Sequence, residues 1–269
     1  MRDDMIALLA YWIKERESIR TKKEAGHPKP WTSDPILLQY RFCNVSREHD
    51  KVTRWFAANW RSAPHWTSPN FVPAMMFGRT VNWPDTLDEI GYPEVWDQNR
   101  VLEVMQKRKE RGEKVWTGAY IVSTNGIKMD KAEYVVNNAS IYFANPPKVQ
   151  PTLEETWHTL TQVNGVGSFM AGQVVTDLKR THLLFNAPDW KTWAALGPGS
   201  IRGLNRIYGN PLEASIPQAR GVQMMRLVKE AVKFTYCLQD LQNCLCEFDK
   251  YVRVKNGEGK PRSTYPGAR

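Results

Sequence analysis

Cysteine is scarce in this sequence: Cys43, Cys237, Cys244 and Cys246 are its four, and no two of them form a C-x-x-C pair. That spacing argues against a structural zinc site and against a disulfide framework. A secretory leader pattern is also missing, because Met1 to Leu9 carries Arg2, Asp3 and Asp4 where an apolar stretch would be needed. Reduced thiols in a cytoplasm are therefore expected. No apolar run approaches the ~20 residues that span a bilayer, so no membrane partner is expected. No internal repeat divides the chain.

What is present is enough for one large domain or two small ones: 269 residues, 42% hydrophobic and 24% charged. This balance can bury a core and excludes a disordered chain. Eleven tryptophans serve either as core or as flat rings for stacking on nucleobases. The net charge of +9 and pI near 9.4 favour a polyanionic partner, since each neutralised phosphate releases condensed counterions. Charge alone also suits a protein that is merely basic.

Apolar spacing predicts a mainly α fold. Met5, Leu8, Leu9, Trp12 and Ile13 make the stripe of an amphipathic helix over 4–23, broken at 26–30 by glycine and proline. Further helices are expected over 34–42, 47–60, 72–80, 84–90, 94–111 and 131–143, with a loop over 61–73. The one strand-like stretch is 117–125, with Tyr120, Ile121 and Val122, closed by an Asn125-Gly126 turn into a small β-hairpin. Three prolines in 145–151 are expected to connect an N-terminal part, 1–150, to a C-terminal part, 151–269, the two together forming one unit. Thr152 and Glu155 fit a capping box at the next helix start. Residues 215–245 suit one or two helices, and 255–269 an irregular tail.

The most informative segment runs from Leu160 to Asp177. An apolar helix end leads into Val163-Asn164-Gly165-Val166-Gly167, and a second helix follows with Ala171 and Gly172. Glycines permit a sharp turn and close approach, and the amides at a helix start suit a phosphate. The segment resembles the helix-hairpin-helix of DNA glycosylases, in which Gly165 and Gly167 would grip the DNA backbone; an ordinary αα-turn reads the same way. In that superfamily an essential aspartate follows the hairpin by a little over twenty residues, and Asp189 stands at that distance. It would act as a general base or stabilise developing positive charge, or else cap a helix. Phe169 occupies the usual lysine position, which argues against a Schiff-base lyase. Further on, Gly197-Pro198-Gly199-Ser200, with Arg202 and Arg206, reads equally as a phosphate-holding loop or a helix–helix turn.

Several longer motifs stand in one order. They are Tyr40-Arg41-Phe42-Cys43-Asn44-Val45-Ser46-Arg47-Glu48-His49-Asp50, Gly78-Arg79 with Asn82, Thr117-Gly118-Ala119-Tyr120, the hairpin to Asp177, Asp189 to Asn205, and Cys246-Glu247-Phe248-Asp249-Lys250-Tyr251 with Arg253, Gly259 and Arg262. On these motifs, from about Gln39 to Tyr265, the chain resembles the phage α-glutamyl/putrescinyl thymine pyrophosphorylases and the related helical domain of 5-hydroxymethyluracil DNA kinases. The resemblance implies a glycosylase-like helical fold. It also implies an activity: replacing the phosphate or pyrophosphate on phosphorylated 5-hydroxymethyluracil in DNA with an amine, an amino acid or a polyamine. No Gly-x4-Gly-Lys-Ser/Thr loop occurs, which points to this transferase step and not to the kinase step.

Such a reaction asks for cations on the leaving group, and Arg41, Arg47, Arg202, Arg206, Lys250 and Arg253 are candidates, with Asn44 beside them. It asks for a base, which Asp189, Glu247, Asp177 or Asp249 can supply. It asks for an extruded pyrimidine, on which Trp190 or Trp193 can stack. A Cys43 thiolate adding to the ring is a further option beside a plain buried thiol. Structural ion pairs are the alternative for Arg41 and Arg47, and a surface pair for Glu247 with Lys250. No metal site and no cofactor are predicted; carboxylates and pyrophosphate are able to recruit Mg²⁺, though no spacing demands it. The expected partners are DNA with modified pyrimidines and a small amine or amino acid, in the cytoplasm of an infected bacterium. A DNA glycosylase and a non-catalytic DNA-binding module are the competing functions. The identity of the amine and the oligomeric state stay open.

Overall fold

In the computed structural model, residues 1–118, 124, 126–261 and 264–265 are described. Twelve α-helices appear among them: α1 (Asp3–Glu24), α2 (Pro35–Gln39), α3 (Lys51–Ala58), α4 (Phe71–Val81), α5 (Pro84–Ile90), α6 (Gln98–Glu110), α7 (Lys131–Ala144), α8 (Leu153–Thr161), α9 (Ser168–Leu178), α10 (Pro198–Tyr208), α11 (Gln218–Ala231) and α12 (Leu238–Lys255). No sheet forms among the described residues; Tyr40 and Thr264 make one isolated antiparallel bridge. The mainly α expectation holds. The strand-like stretch 117–125 falls mostly on residues outside those described. The chain divides into two compact units, Met1–Asp50 with Lys191–Arg269, and Lys51–Trp190. The proline-rich stretch 145–151 therefore runs inside the second unit.

The first unit is built on α1, α10 and α12. Asp3 and Asp4 open α1 and Lys22 and Lys23 close it, each favourable to the helix dipole. Its buried face carries Met5, Leu9, Trp12 and Ile19, together with Arg16. Asp34 caps α2 by accepting from the amides of Ile36 and Leu37, each at 2.9 Å, and Pro35 sits at the first helical position. This helix stops at Gln39, short of the expected 42, because Tyr40 turns into extended backbone and pairs with Thr264.

Where α10 crosses α12, two glycines set the spacing. A Cβ on Gly199 would stand 2.3 Å from Cys246 Sγ, and one on Gly203 would stand 2.4 Å from the Leu245 carbonyl oxygen. The second obstacle is backbone and cannot swing aside. Gly203→Val is expected to destabilise the protein by about 2–3 kcal/mol through overpacking, read as a lowered midpoint in thermal denaturation followed by circular dichroism.

The second unit holds the aromatic core. Phe56, Trp60, Phe77, Trp96 and Phe143 form a connected chain of ring contacts, with Trp96 stacked on Phe143 at 4.2 Å between centroids. Gly78 admits this packing, since a Cβ there would stand 2.8 Å from the Phe56 ring. Much of the tryptophan content is thus core, including the buried Trp12, Trp60, Trp157 and Trp193. The expected helix over 47–60 is interrupted: Arg47–His49 makes a 3-10 turn, and α3 starts at Lys51. Asp50 causes the break, lying in extended backbone with its side chain turned back to accept the Asn44 amide at 3.0 Å. Thr152 caps α8 as expected, accepting from the Glu155 amide at 3.1 Å, while its hydroxyl donates to the Glu155 carboxylate at 2.8 Å.

Candidate functional site

In the second unit, α8 and α9 are joined by a tight turn that places Gly165 at φ +78°. A side chain there would meet Asn138 at 3.2 Å, and Asn164 donates to the Asn138 side-chain oxygen at 2.8 Å, which pins the turn to α7. Nothing lies within 4 Å of a Cβ built on Gly167, and α9 starts behind it without a side-chain cap. Gly165, Gly167, Ser168 and Phe169 are exposed, and Trp157 holds the turn from beneath by donating its indole N–H to the Ser168 carbonyl at 2.9 Å. The first amides of α9 are therefore presented outward, in a form chemically able to receive an anion.

The carboxylates of this unit do other work. Asp189 accepts from the amides of Leu153 at 2.9 Å and Glu154 at 3.1 Å, one on each oxygen. It holds the first amides of α8, about thirty-five residues back in the chain, instead of capping a helix after itself, for residues 190–192 form a turn; with both oxygens so used, the free-base role is corrected. Asp177 corrects a second expectation. It is 0% exposed and receives Arg79 at 2.5 and 2.7 Å and Arg61 at 3.2 Å. Arg79 also donates to Asn82 at 3.1 Å and lies 4.1 Å from the Phe56 ring centroid. A carboxylate so enclosed is a structural counter-charge with no access for substrate. Trp193 is buried, and Trp190 is flanked by Lys179 at 3.9 Å and Arg180 at 4.7 Å, which corrects the stacking role expected of both rings.

The first unit gathers the loop 41–50 against α12. Arg16 reaches out of α1 to the carbonyls of Phe42 and Cys43 and to the Asn44 side-chain oxygen at 2.7 Å. Asn44 also donates to the His49 carbonyl at 2.9 Å, and its own carbonyl receives Asn243 at 3.2 Å. All of its polar groups serve the loop, so Asn44 positions backbone instead of binding phosphate. The Arg47 amide donates to Asp240 at 3.0 Å, in the first turn of α12. Arg41 is exposed, with its guanidinium 5.3 Å from the Tyr265 ring centroid.

On α12, Glu247 is buried and accepts from the Cys43 amide at 3.2 Å and from Lys250 at 2.6 Å. Lys250 remains about one-third exposed. Burial pulls its ammonium down, but Glu247 and the Cys246 thiol more than offset this and hold it above the usual lysine range. Burial, aided by Glu247, pushes the Cys246 thiol up to about 11. Burial, with Glu247 and Asp50 adding to it, likewise holds the Cys43 thiol well above its ordinary value. Both shifts disfavour the thiolate that a ring-adding nucleophile would need. Burial also raises Asp50, against the pull of the Asn44 amide and Arg47.

Beside this pair, Asp249 collects three guanidiniums: Arg206 at 2.7 Å, Arg202 at 3.3 Å and Arg253 at 3.6 Å. Arg202 also pairs with Glu213, and Arg206 with Glu258 at 2.5 Å. The Arg206 hydrogen bond, joined by Asn256, brings the Glu258 carboxyl down to about 2. Of these arginines, Arg202 and Arg253 keep accessible edges and Arg206 is buried. The Gly197–Ser200 stretch is not a phosphate loop. Ser200 is fully buried, its hydroxyl exchanging hydrogen bonds with the Gly197 amide at 3.0 Å and carbonyl at 2.9 Å, and Gly199 faces Cys246. The glycines are there for helix contact.

Sequence reasoning missed Arg16, Arg61 and Arg79 as buried anchors, and Asp34, which receives the hydroxyls of Tyr11 at 3.1 Å and Tyr251 at 2.7 Å. These long-range contacts leave no local signal, since the residues they join stand at least 23 apart in the chain. Ala119, Tyr120 and Arg262 of the quoted motifs lie outside the described residues.

The family model of the 5-hmdU DNA kinase helical domain matches residues 3–261. A 5-hmdU DNA kinase of Bacillus phage SP10 is 27% identical over 281 aligned positions, which cover 89% of this chain and 43% of the relative. The chain thus spans less than half the length of that curated relative. No solved structure matches it significantly. With the match running through both units, from the start of α1 to the residues after α12, the chain belongs to the 5-hmdU DNA kinase helical-domain family.

Proposed function

We propose that the chain acts in hypermodification of phage DNA, exchanging the phosphate or pyrophosphate on phosphorylated 5-hydroxymethyluracil for an amine. The family match over residues 3–261 supports a role in modifying 5-hydroxymethyluracil DNA, to which the amine exchange adds what the sequence resemblance implies. The likeness to the SP10 kinase covers less than half of that protein, and residues 1–269 contain no Gly-x4-Gly-Lys-Ser/Thr loop. A helical part matched in a kinase of 5-hydroxymethyluracil DNA fits the handling of the hydroxymethylated base, a need that the exchange shares. The exposed glycine turn at 163–167 and the net charge of +9 support a DNA backbone as the partner.

The exchange breaks the C–O bond at the 5-methylene carbon and forms a C–N bond. The leaving group departs with the electron pair, and a proton leaves the amine. Lys250, Arg202 and Arg253 are the cations that support the leaving group, because each keeps an accessible edge. Glu247 is buried and bonded to both Lys250 and the Cys43 amide, so its part is to hold that lysine in place, and the amine proton passes to solvent. The protein is incubated with DNA bearing phosphorylated or pyrophosphorylated 5-hydroxymethyluracil and a panel of amines, and the nucleosides are resolved by mass spectrometry. A new amine-bearing nucleoside with release of phosphate or pyrophosphate is expected; neither product in any combination overturns the proposal.

One observation favours a second function, a non-catalytic module that presents 5-hydroxymethyluracil DNA. The carboxylates of Asp177, Asp189 and Asp249 are all committed to internal partners. That function predicts salt-sensitive DNA binding with no turnover. A glycosylase draws no such support, because Asp189 is held by α8.

A further inference from the structure

Arg16 on α1 is only 8% exposed, yet its hydrogen bonds all go to neutral acceptors. Nε and Nη2 hold the Phe42 carbonyl at 3.2 and 3.1 Å, Nε also reaches the Cys43 carbonyl at 3.0 Å, and Nη2 donates to the Asn44 side-chain oxygen at 2.7 Å. Nη1 meets no hydrogen-bond partner among the described residues. Asp50 feels this guanidinium through space, while its own hydrogen bond goes to the Asn44 amide. Burying a guanidinium without a bonded carboxylate is costly. A glutamine could offer N–H groups to the same carbonyls without that cost, so hydrogen bonding alone does not account for the charge.

The Phe42 carbonyl and the Cys43 amide belong to one peptide group, which is planar and, being trans, points them in opposite directions. Arg16 holds the carbonyl end, and Glu247 Oε2 accepts from the amide end at 3.2 Å. The other carboxylate oxygen, Oε1, receives Lys250 at 2.6 Å. Arg16, the 42–43 peptide, Glu247 and Lys250 thus stand in file from α1 through the loop to α12: cation, dipole, anion, cation. A positive charge on a carbonyl oxygen polarises the peptide and strengthens its N–H as a donor. It also keeps the plane from turning, since rotation would pull the carbonyl away from two guanidinium nitrogens. We propose that Arg16 is a positioning residue for Lys250, acting through the Phe42–Cys43 peptide and Glu247 from the far side of the loop. Its bearing on the amine exchange rests on the function proposed above; its hold on Lys250 does not. The competing role is that of a plain loop anchor, which predicts a loss of stability and nothing at Lys250.

The test needs no turnover. The full chain, without DNA, is treated with limiting acetic anhydride, and acetylation of Lys250 is measured by peptide mass spectrometry against the exposed Lys255 of the same molecule. An ammonium freed from its carboxylate gives up its proton more readily, so Arg16→Met is expected to raise the relative rate at Lys250 by about fivefold. Arg16→Gln, which keeps donors without the charge, is expected to follow Arg16→Met, and Arg16→Lys to stay near the parent. In a Glu247→Gln background the file is already cut, and adding Arg16→Met is expected to change nothing further at Lys250. Circular dichroism checks each fold; should Arg16→Met not fold, Arg16→Gln and Arg16→Lys carry the comparison. A lowered melting temperature with Lys250 acetylated as in the parent makes Arg16 a loop anchor and overturns the inference. So does an Arg16 effect that persists undiminished beside Glu247→Gln. In the exchange assay, Arg16→Met is expected to lower kcat and leave KM for the DNA unchanged. Coupled acetylation in a chain that performs no exchange counts against the proposed function and leaves the positioning intact. Exchange with kcat unaltered in Arg16→Met and Lys250 uncoupled does the reverse.

Discussion

Asp177→Ala is expected to lose about 3–5 kcal/mol of stability, because it strips a buried guanidinium of its counter-charge. Arg79 is 1% exposed and sends two nitrogens to the carboxylate, at 2.5 and 2.7 Å. Neither water nor a rotamer change can rescue it where Phe56 covers its face. For a chain of this size the loss corresponds to a fall in melting temperature of roughly 10–15 °C, measurable by calorimetry. The paired change Asp177→Leu with Arg79→Met removes both charges and is expected to recover much of the loss, since the penalty comes from orphaning one ion and not from lacking the pair. A melting temperature for Asp177→Ala within about 2 °C of the parent would show that the ion cluster does not hold α4 to α9.

Lys250→Met is expected to cut the proposed amine exchange by roughly 10²–10³-fold, the range seen when one preorganised charge is removed from a developing anion. Lys250→Arg is expected to recover part of this, and circular dichroism should show both variants folded, because the side chain is partly exposed. Glu247→Gln loosens Lys250 from its partner and is expected to lower the rate through that lysine. The pH dependence has a definite sign. Burial lowers the Lys250 ammonium and Glu247 outweighs it, so its folded value lies above the ordinary 10.5. Its contribution to stability is thus fully present below pH 10.5 and is lost only as pH rises beyond that. An alkaline fall in rate near neutrality would have to come from another group. Equal turnover by Lys250→Met and the parent would remove this lysine from the reaction.

What the sequence made legible was local. α5 matches its expected span, 84–90, because Pro84 at the start and Gly91 at the end punctuate it chemically. α1 and the Thr152 cap were readable for the same reason: their signals lie within a few residues of their effects. Asp177 was misread because its partners stand 98 and 116 residues away, and an aspartate on a helix looks alike whether it meets substrate or arginine. The Gly197–Ser200 stretch was ambiguous for a different reason. Glycine permits close approach to either a phosphate or a helix, and only the position of Cys246 against Gly199 decides which. Lys250 with Glu247 was visible as an i,i+3 pair, but its depth beneath the Cys43 amide was not.

The first unit is assembled from both ends of the chain, 1–50 and 191–269, around a continuous second unit. A ribosome releases α1 long before α10 and α12, against which it packs, with the Arg2 amide bonded to the Ile207 carbonyl of α10. At about 5–20 residues per second, the nascent amino-terminal helix waits on the order of ten to forty seconds for its docking partners. Its apolar stripe is open to chaperones or to neighbouring polypeptides throughout that interval, whereas the inserted segment can close on itself as soon as it emerges.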